Sequence, residues 1–163
     1  MHEAGSCTPA QGSAGAIPHA ARRARTARLR RSAQLDREQD RLLALLAEGS
    51  RLAEAAASLE LSQRTAERRL AAARSRLGAR TTAQAVALVS GARRAGRERP
   101  SKELSVRERQ VLEGVASGLT SREIAERLAT PASTIDALVR SAISKFAART
   151  RIQAAALSVT DRS

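Results

Sequence analysis

Residues 35–90, LDREQDRLLALLAEGSRLAEAAASLELSQRTAERRLAAARSRLGARTTAQAVALVS, and residues 104–159, LSVRERQVLEGVASGLTSREIAERLATPASTIDALVRSAISKFAARTRIQAAALSV, are one segment written twice in register, without a gap. Nearly a third of the aligned positions are identical. Among them are Leu35 and Leu104, Leu43 and Leu112, Ala47 and Ala116, Gly49 and Gly118, Glu54 and Glu123, Ala56 and Ala125, Leu59 and Leu128, Thr65 and Thr134, Arg80 and Arg149, and Gln84 and Gln153. An internal repeat outranks any single-domain reading, because copies of one small unit can bury together what one copy cannot. The 163 residues therefore divide into an arm at 1–33, a first unit at 34–90, a linker at 91–103 and a second unit at 104–160. Units of this size bury only about 60% of their unfolded surface and are marginal alone.

Within each unit the apolar residues recur at helical spacing and nothing alternates with period two, so the reading is all-α. In the first unit Asp36 and Gln39 have capping-box spacing, and Leu42, Leu43, Leu45 and Leu46 form the inward stripe of a helix that Gly49 stops. A second helix is expected from about Arg51 to Leu59. Ser62 caps a third that runs to Leu77 and stops at Gly78, and a fourth spans Thr82 to Ser90. The second unit repeats these signals with Ser105 and Glu108, Thr120 and Glu123, and a stop at Gly118. Thr130 is placed as the cap of its third helix with Pro131 at the first helical position, where a missing N–H costs nothing. Thr150 opens its last helix.

Composition narrows the function. The formal net charge is +13, and much of it lies in the arm and linker rather than in the repeats. A strongly basic chain favours polyanions, nucleic acid or an anionic membrane surface. Arg22, Arg23, Arg25, Arg28, Arg30 and Arg31 in the arm, expected to be disordered, and Arg93, Arg94, Arg97 and Arg99 in the linker are candidates to lie along phosphates. Cys7 is the single cysteine, so no intrachain disulfide can form and a reducing compartment is expected. No run approaches the roughly 18 apolar residues of a membrane span, and no apolar segment follows the N-terminus as in a signal peptide. The expected location is the bacterial cytoplasm, with the nucleoid.

Two short helices, a tight turn and a third helix make the helix-turn-helix arrangement, in which the third helix can enter a major groove. The basic linker, extended, reaches about 40 Å, enough to connect two successive major-groove half-sites about 34 Å apart. It equally allows the two units to pack on each other.

The second unit carries Leu104-Ser-Val-Arg-Glu-Arg-Gln-Val-Leu112, Ala116-Ser-Gly118, Thr120-Ser-Arg-Glu-Ile-Ala-Glu-Arg-Leu128, Ser133-Thr-Ile135 and Ile143-Ser-Lys-Phe146. These stretches resemble the LuxR/NarL-type DNA-binding domain, whose pattern is L-T-x-R-E-x-x-V-L, A-x-G, S-N-x-E-I-A-x-x-L, T-V-K-x-H and K-L. Arg107 and Glu108 fill the R-E pair, and Arg151 falls where the family often has arginine. The first unit is a fainter copy, with Glu38-Gln39 in place of R-E. The resemblance implies two tandem four-helix helix-turn-helix units whose third helices read DNA and whose fourth helices often dimerise. Carried over by position, the family's K falls on Glu67 and Asp136, its H on Arg69 and Leu138, and the next base-facing positions on Arg68 and Ala71, and on Ala137 and Arg140. The DNA-binding candidates are Arg64, Thr65, Glu67, Arg68 and Arg69 in the first unit, and Ser133, Thr134, Asp136, Ala137 and Arg140 in the second, with Lys145 adding charge. Thr65 and Thr134 would face phosphate. Both units depart from the family in placing an acid, Glu67 or Asp136, where it usually has a cation. A carboxylate is repelled by phosphate but can accept a hydrogen bond from cytosine N4.

No catalytic constellation is legible. His2, His19 and Cys7 lack zinc-ligand spacing, no glycine-rich phosphate loop follows a strand, and no nucleophile sits in a recognisable elbow. Phe146 is the only aromatic residue, so stacking on single strands is not a major mode. The expected protein is a non-enzymatic transcriptional regulator that needs no cofactor and binds sequence-specific double-stranded DNA. Pairing of the Thr82–Ser90 and Thr150–Val159 helices would make a pseudo-dimer from one chain. Two rivals stand beside it. One is an adaptor that docks RNA polymerase, a sigma factor or another regulator. The other is a non-specific nucleic-acid packaging protein.

Overall fold

The computed structural model describes residues 35–90 and 103–160, eight helices with no strand among them. The arm at 1–33 and the arginines of the linker lie outside the described residues. The first unit comprises α1 (Arg37–Ala47), α2 (Leu52–Ser58), α3 (Gln63–Leu77) and α4 (Thr82–Ser90). The second comprises α5 (Val106–Ala116), α6 (Ser121–Arg127), α7 (Ala132–Lys145) and α8 (Arg151–Thr160).

The helices begin where side chains can satisfy the free N–H groups of a first turn. Asp36 accepts from the Gln39 N–H at 2.8 Å while Gln39 accepts from the Asp36 N–H at 3.3 Å. Ser105 and Glu108 reproduce this exchange at the start of α5, and Thr120 and Glu123 at the start of α6. Ser62 accepts from the Thr65 N–H. The start of α7 differs from the sequence expectation. The Thr130 hydroxyl donates back to the Leu128 carbonyl at 2.9 Å instead of capping. Pro131, with ψ 143, stands just outside the helix as its N-cap, and α7 begins at Ala132.

Each unit closes over an aliphatic core. In the first, Leu42, Leu43 and Leu46 of α1 meet Ala55 and Ala56 of α2, Ala66, Leu70 and Ala73 of α3, and Val86 and Val89 of α4. In the second, Val111 and Val115 of α5 meet Ile124, Ile135 and Val139, and Leu112 packs with Ala142, Phe146 and Ala154.

The two units also pack on each other. The main seam is α4 against α8, flanked by α1 against α8 and α4 against α5. The cores interpenetrate across it. Ala83 of α4 joins the second unit's core, Ala156 of α8 joins the first unit's, and Ile152 touches both. Small side chains on both fourth helices permit this close approach. Gly49 and Gly118, at φ 102 and 86, turn the chain sharply after α1 and α5. There, a Cβ on Gly49 would run into the Gln153 amide, and a Cβ on Gly118 into the Gln84 amide. Glycine is thus required twice at each site, by the backbone angle and by the neighbouring unit.

Candidate nucleic-acid interface

In each unit the second helix packs across the third, α2 on α3 and α6 on α7, so that one flank of the third helix is held and the other faces solvent. On α3, Ala66, Leu70, Ala73 and Leu77 are buried, which leaves Arg64, Glu67 and Arg68 exposed and Thr65 half-buried. On α7, Ile135, Val139 and Ala142 are buried, and Ser133, Thr134, Asp136, Ala137 and Arg140 are exposed. These outward residues form one continuous flank on each helix, because they recur at three- and four-residue spacing.

The acids at the equivalent positions are held differently. Gln63 donates to Glu67 Oε1 at 3.0 Å within α3. Asp136 Oδ1 accepts from the Ser121 hydroxyl of α6 at 3.1 Å, and that hydroxyl in turn accepts from Arg151 Nη1 at 3.1 Å. A relay from the fourth helix through the second therefore orients Asp136 on the third. Thr65 shares a hydroxyl contact of 2.9 Å with Ser62.

Two cations of the candidate set are engaged inside their own units. Arg69 Nε lies 2.7 Å from Glu38 and Nη1 3.9 Å from Asp36, so it ties α3 to the start of α1. Lys145 Nζ donates to Glu108 Oε2 at 2.7 Å. Glu108 is only 3% exposed, and it also accepts from Ser141 Oγ at 2.6 Å and the Ser105 N–H at 2.6 Å. Burial by itself would raise this carboxyl's pKa. The hydrogen bonds from Lys145, Ser141 and Ser105 outweigh burial and hold it at about 2. Where the second unit has Glu108 and Lys145, the first has Gln39 and Arg76, and there the arginine donates to an uncharged amide oxygen at 3.2 Å. The arm and linker arginines proposed as phosphate contacts lie outside the described residues.

Sequence reasoning missed a third group, at the seam. Arg80 donates to Glu123 at 2.6 Å, and Arg149 donates to Glu54 at 3.1 Å. Gln153 donates to the Glu48 carbonyl at 3.0 Å. All four charged residues are among the identities of the repeat, and that was the available signal. The Thr120 N–H, Arg80 and the Thr120 hydroxyl depress the Glu123 pKa to about 2. Glu54 is likewise lowered, by the Arg51 N–H and by Arg149 against an opposing desolvation.

Among the described residues, no group of His, Cys, Asp and Glu could hold a metal ion, and no helix is long and apolar enough to cross a membrane. Residues 102–158 match the family model described as bacterial regulatory proteins, luxR family. Residues 26–84 match the model described as ECF sigma factor. No curated protein and no solved structure matches the chain. Both matching families are non-enzymatic and regulate transcription through DNA. The chain carries two tandem helix-turn-helix-type units, the second within a region similar to the luxR family of bacterial regulatory proteins and the first overlapping a region similar to ECF sigma factors.

Proposed function

We propose that the protein is a transcriptional regulator that binds double-stranded DNA sequence-specifically, with α3 and α7 as the two groove-entering helices. The observation that carries this reading is the outward flank of α7, inside the luxR-family match, where Ser133, Thr134, Asp136, Ala137 and Arg140 are exposed together on a braced helix. Arg140 is suited to guanine and Asp136 to cytosine N4, while Ser133 and Thr134 at the helix start suit phosphate. On α3, Arg64 and Arg68 supply cations, Thr65 a hydroxyl, and Glu67 an acceptor. Arg69 and Lys145 serve by bracing α3 and α7 rather than by touching DNA. The arm arginines at 22–31 and the linker arginines at 93–99 add phosphate contacts. Such a protein works on the chromosome, in the bacterial cytoplasm.

The test is selection of random duplex DNA by the purified full chain, with the retained pool titrated across salt. An enriched motif, with affinity that falls steeply in log salt, is expected. Steep salt dependence without enrichment would mean packaging through the basic arms. A second reading is favoured by the sigma-factor match at 26–84. In it the first unit docks RNA polymerase and the second alone reads DNA. Retention of purified polymerase by residues 1–163, abolished by Arg64→Ala with Arg68→Ala, would select that alternative.

A further inference from the structure

The seam between the units is reciprocal. Arg80 of the first unit meets Glu123 of the second, and their counterparts Arg149 and Glu54 meet in the opposite sense. The Gln84 amide fills the space over Gly118, and the Gln153 amide fills the space over Gly49. Helix α1 packs on α8 while α5 packs on α4. When i contacts j′ and j contacts i′ throughout, the two bodies are related by a two-fold axis. The operation that relates α4 to α8 must also relate α3 to α7. The third helices are therefore related to each other as those of a symmetric dimer are, within one chain.

The symmetry of the scaffold is not shared by the two flanks. That of α3 exposes two arginines, Arg64 and Arg68, around Glu67. That of α7 exposes Arg140 among Ser133, Thr134 and Ala137, with Asp136 oriented by Ser121. A two-fold scaffold with unlike reading surfaces matches a DNA site with dyad geometry and unlike halves.

We propose that one chain acts as a built-in dimer on an inverted repeat with two chemically unequal half-sites, one per unit. This rests on the DNA-binding reading above. The linked units dock the second half-site intramolecularly, so no second chain is required. The fourth-helix faces through which another copy would pair are already covered.

The experiment takes the duplex pool enriched by the full chain and asks three things of it: orientation of the enriched blocks, their identity, and the mass of the complex by sedimentation. Two blocks in opposite orientation, different in sequence, with one chain per duplex, are expected. Reversing one block should weaken binding about tenfold or more, the loss of at least one good base contact. Arg80→Ala with Arg149→Ala, both exposed, should keep the fold and reduce that preference for the inverted arrangement. Two chains per duplex, blocks in the same orientation, identical blocks or a single block would each overturn the inference and leave DNA binding standing. A preference unchanged in the double variant would overturn the role of the reciprocal pairs in setting orientation. Failure to retain any duplex would remove the DNA reading and this inference together.

Discussion

Glu108 shows how a residue legible in a motif can have a role that is not. Its place in the R-E pair and its capping-box spacing to Ser105 are local and could be read directly. Its partners Ser141 and Lys145 come from the far end of the unit, and only the packing of α5 on α7 brings them within 2.6–2.7 Å. Lys145 consequently looked like a free cation in the sequence and is a brace in the fold. Lys145→Met keeps the apolar stem and leaves a buried carboxylate short of its charge partner, at an expected cost of about 2 kcal/mol near neutral pH, measured by denaturant unfolding. The pH dependence has a fixed sign. The folded pKa of about 2 lies below the ordinary 4.5, so the brace contributes fully above pH 4.5 and is lost as pH falls through 2. Lys145→Met should flatten the acid limb of the stability curve in that window. An unchanged limb would show that the pair is not formed in solution. Asp136 makes the complementary case on the exposed flank. Asp136→Asn exchanges an acceptor for an amide that suits adenine. It should move the preferred base at one position of the selected site from cytosine towards adenine, read by repeating the selection with the variant.

Caps and stops at the level of helices were the most legible features, because each depends on three or four consecutive residues. Asp36, Ser62, Ser105 and Thr120 all cap as their spacing requires. At the one displaced start, α7, the Thr130 hydroxyl donates to the Leu128 carbonyl instead of accepting from an N–H of the coming helix. The division of labour proposed for α3 and α7 rests on composition and on which of their cations the fold leaves exposed. Of the five arginines in α3, Arg69 is drawn to Glu38 and Arg76 to Gln39, and Arg74 is half-buried in the last turn, which leaves the exposed Arg64 and Arg68 as the cations proposed to neutralise phosphate. Each phosphate contact contributes about 0.9 to the slope of log affinity against log salt. Arg64→Ala with Arg68→Ala should therefore reduce that slope by roughly two contacts' worth and weaken all sequences alike. Arg140→Ala should alter the slope by at most one contact and relax preference at one guanine, with a discrimination loss on the order of 1–3 kcal/mol. Equal salt slopes for the two variants would contradict the assignment.

Joining the units was the step the sequence left open, since the linker permits both separate and packed arrangements. The decisive contacts pair residues far apart in the chain: in the sequence Gly49 and Gly118 were legible only as helix stops, and Arg80 with Arg149 and Gln84 with Gln153 only as unexplained identities. The exposed pairs across the seam, Arg80–Glu123 and Arg149–Glu54, add little individually to stability, so they set orientation more than strength. Strength comes from the buried small residues. Covalent linkage lets a modest apolar seam suffice, because the partner is held at high effective concentration. Ala156 tests whether the seam makes the chain one cooperative body. It belongs to α8 of the second unit, yet it is fully buried in the first unit's core beside α1 and α4. Ala156→Glu would force a larger, uncompensated carboxylate into that packed space, at a cost of about 3 kcal/mol or more. Amide exchange of Leu42, Leu43 and Leu46, in the other unit, should then accelerate by about tenfold or more, since each 1.4 kcal/mol is a factor of ten in the opening equilibrium. Acceleration confined to α5–α8 would mean that the units fold independently, and a scaffold without a shared core could not hold α3 and α7 in a fixed relation.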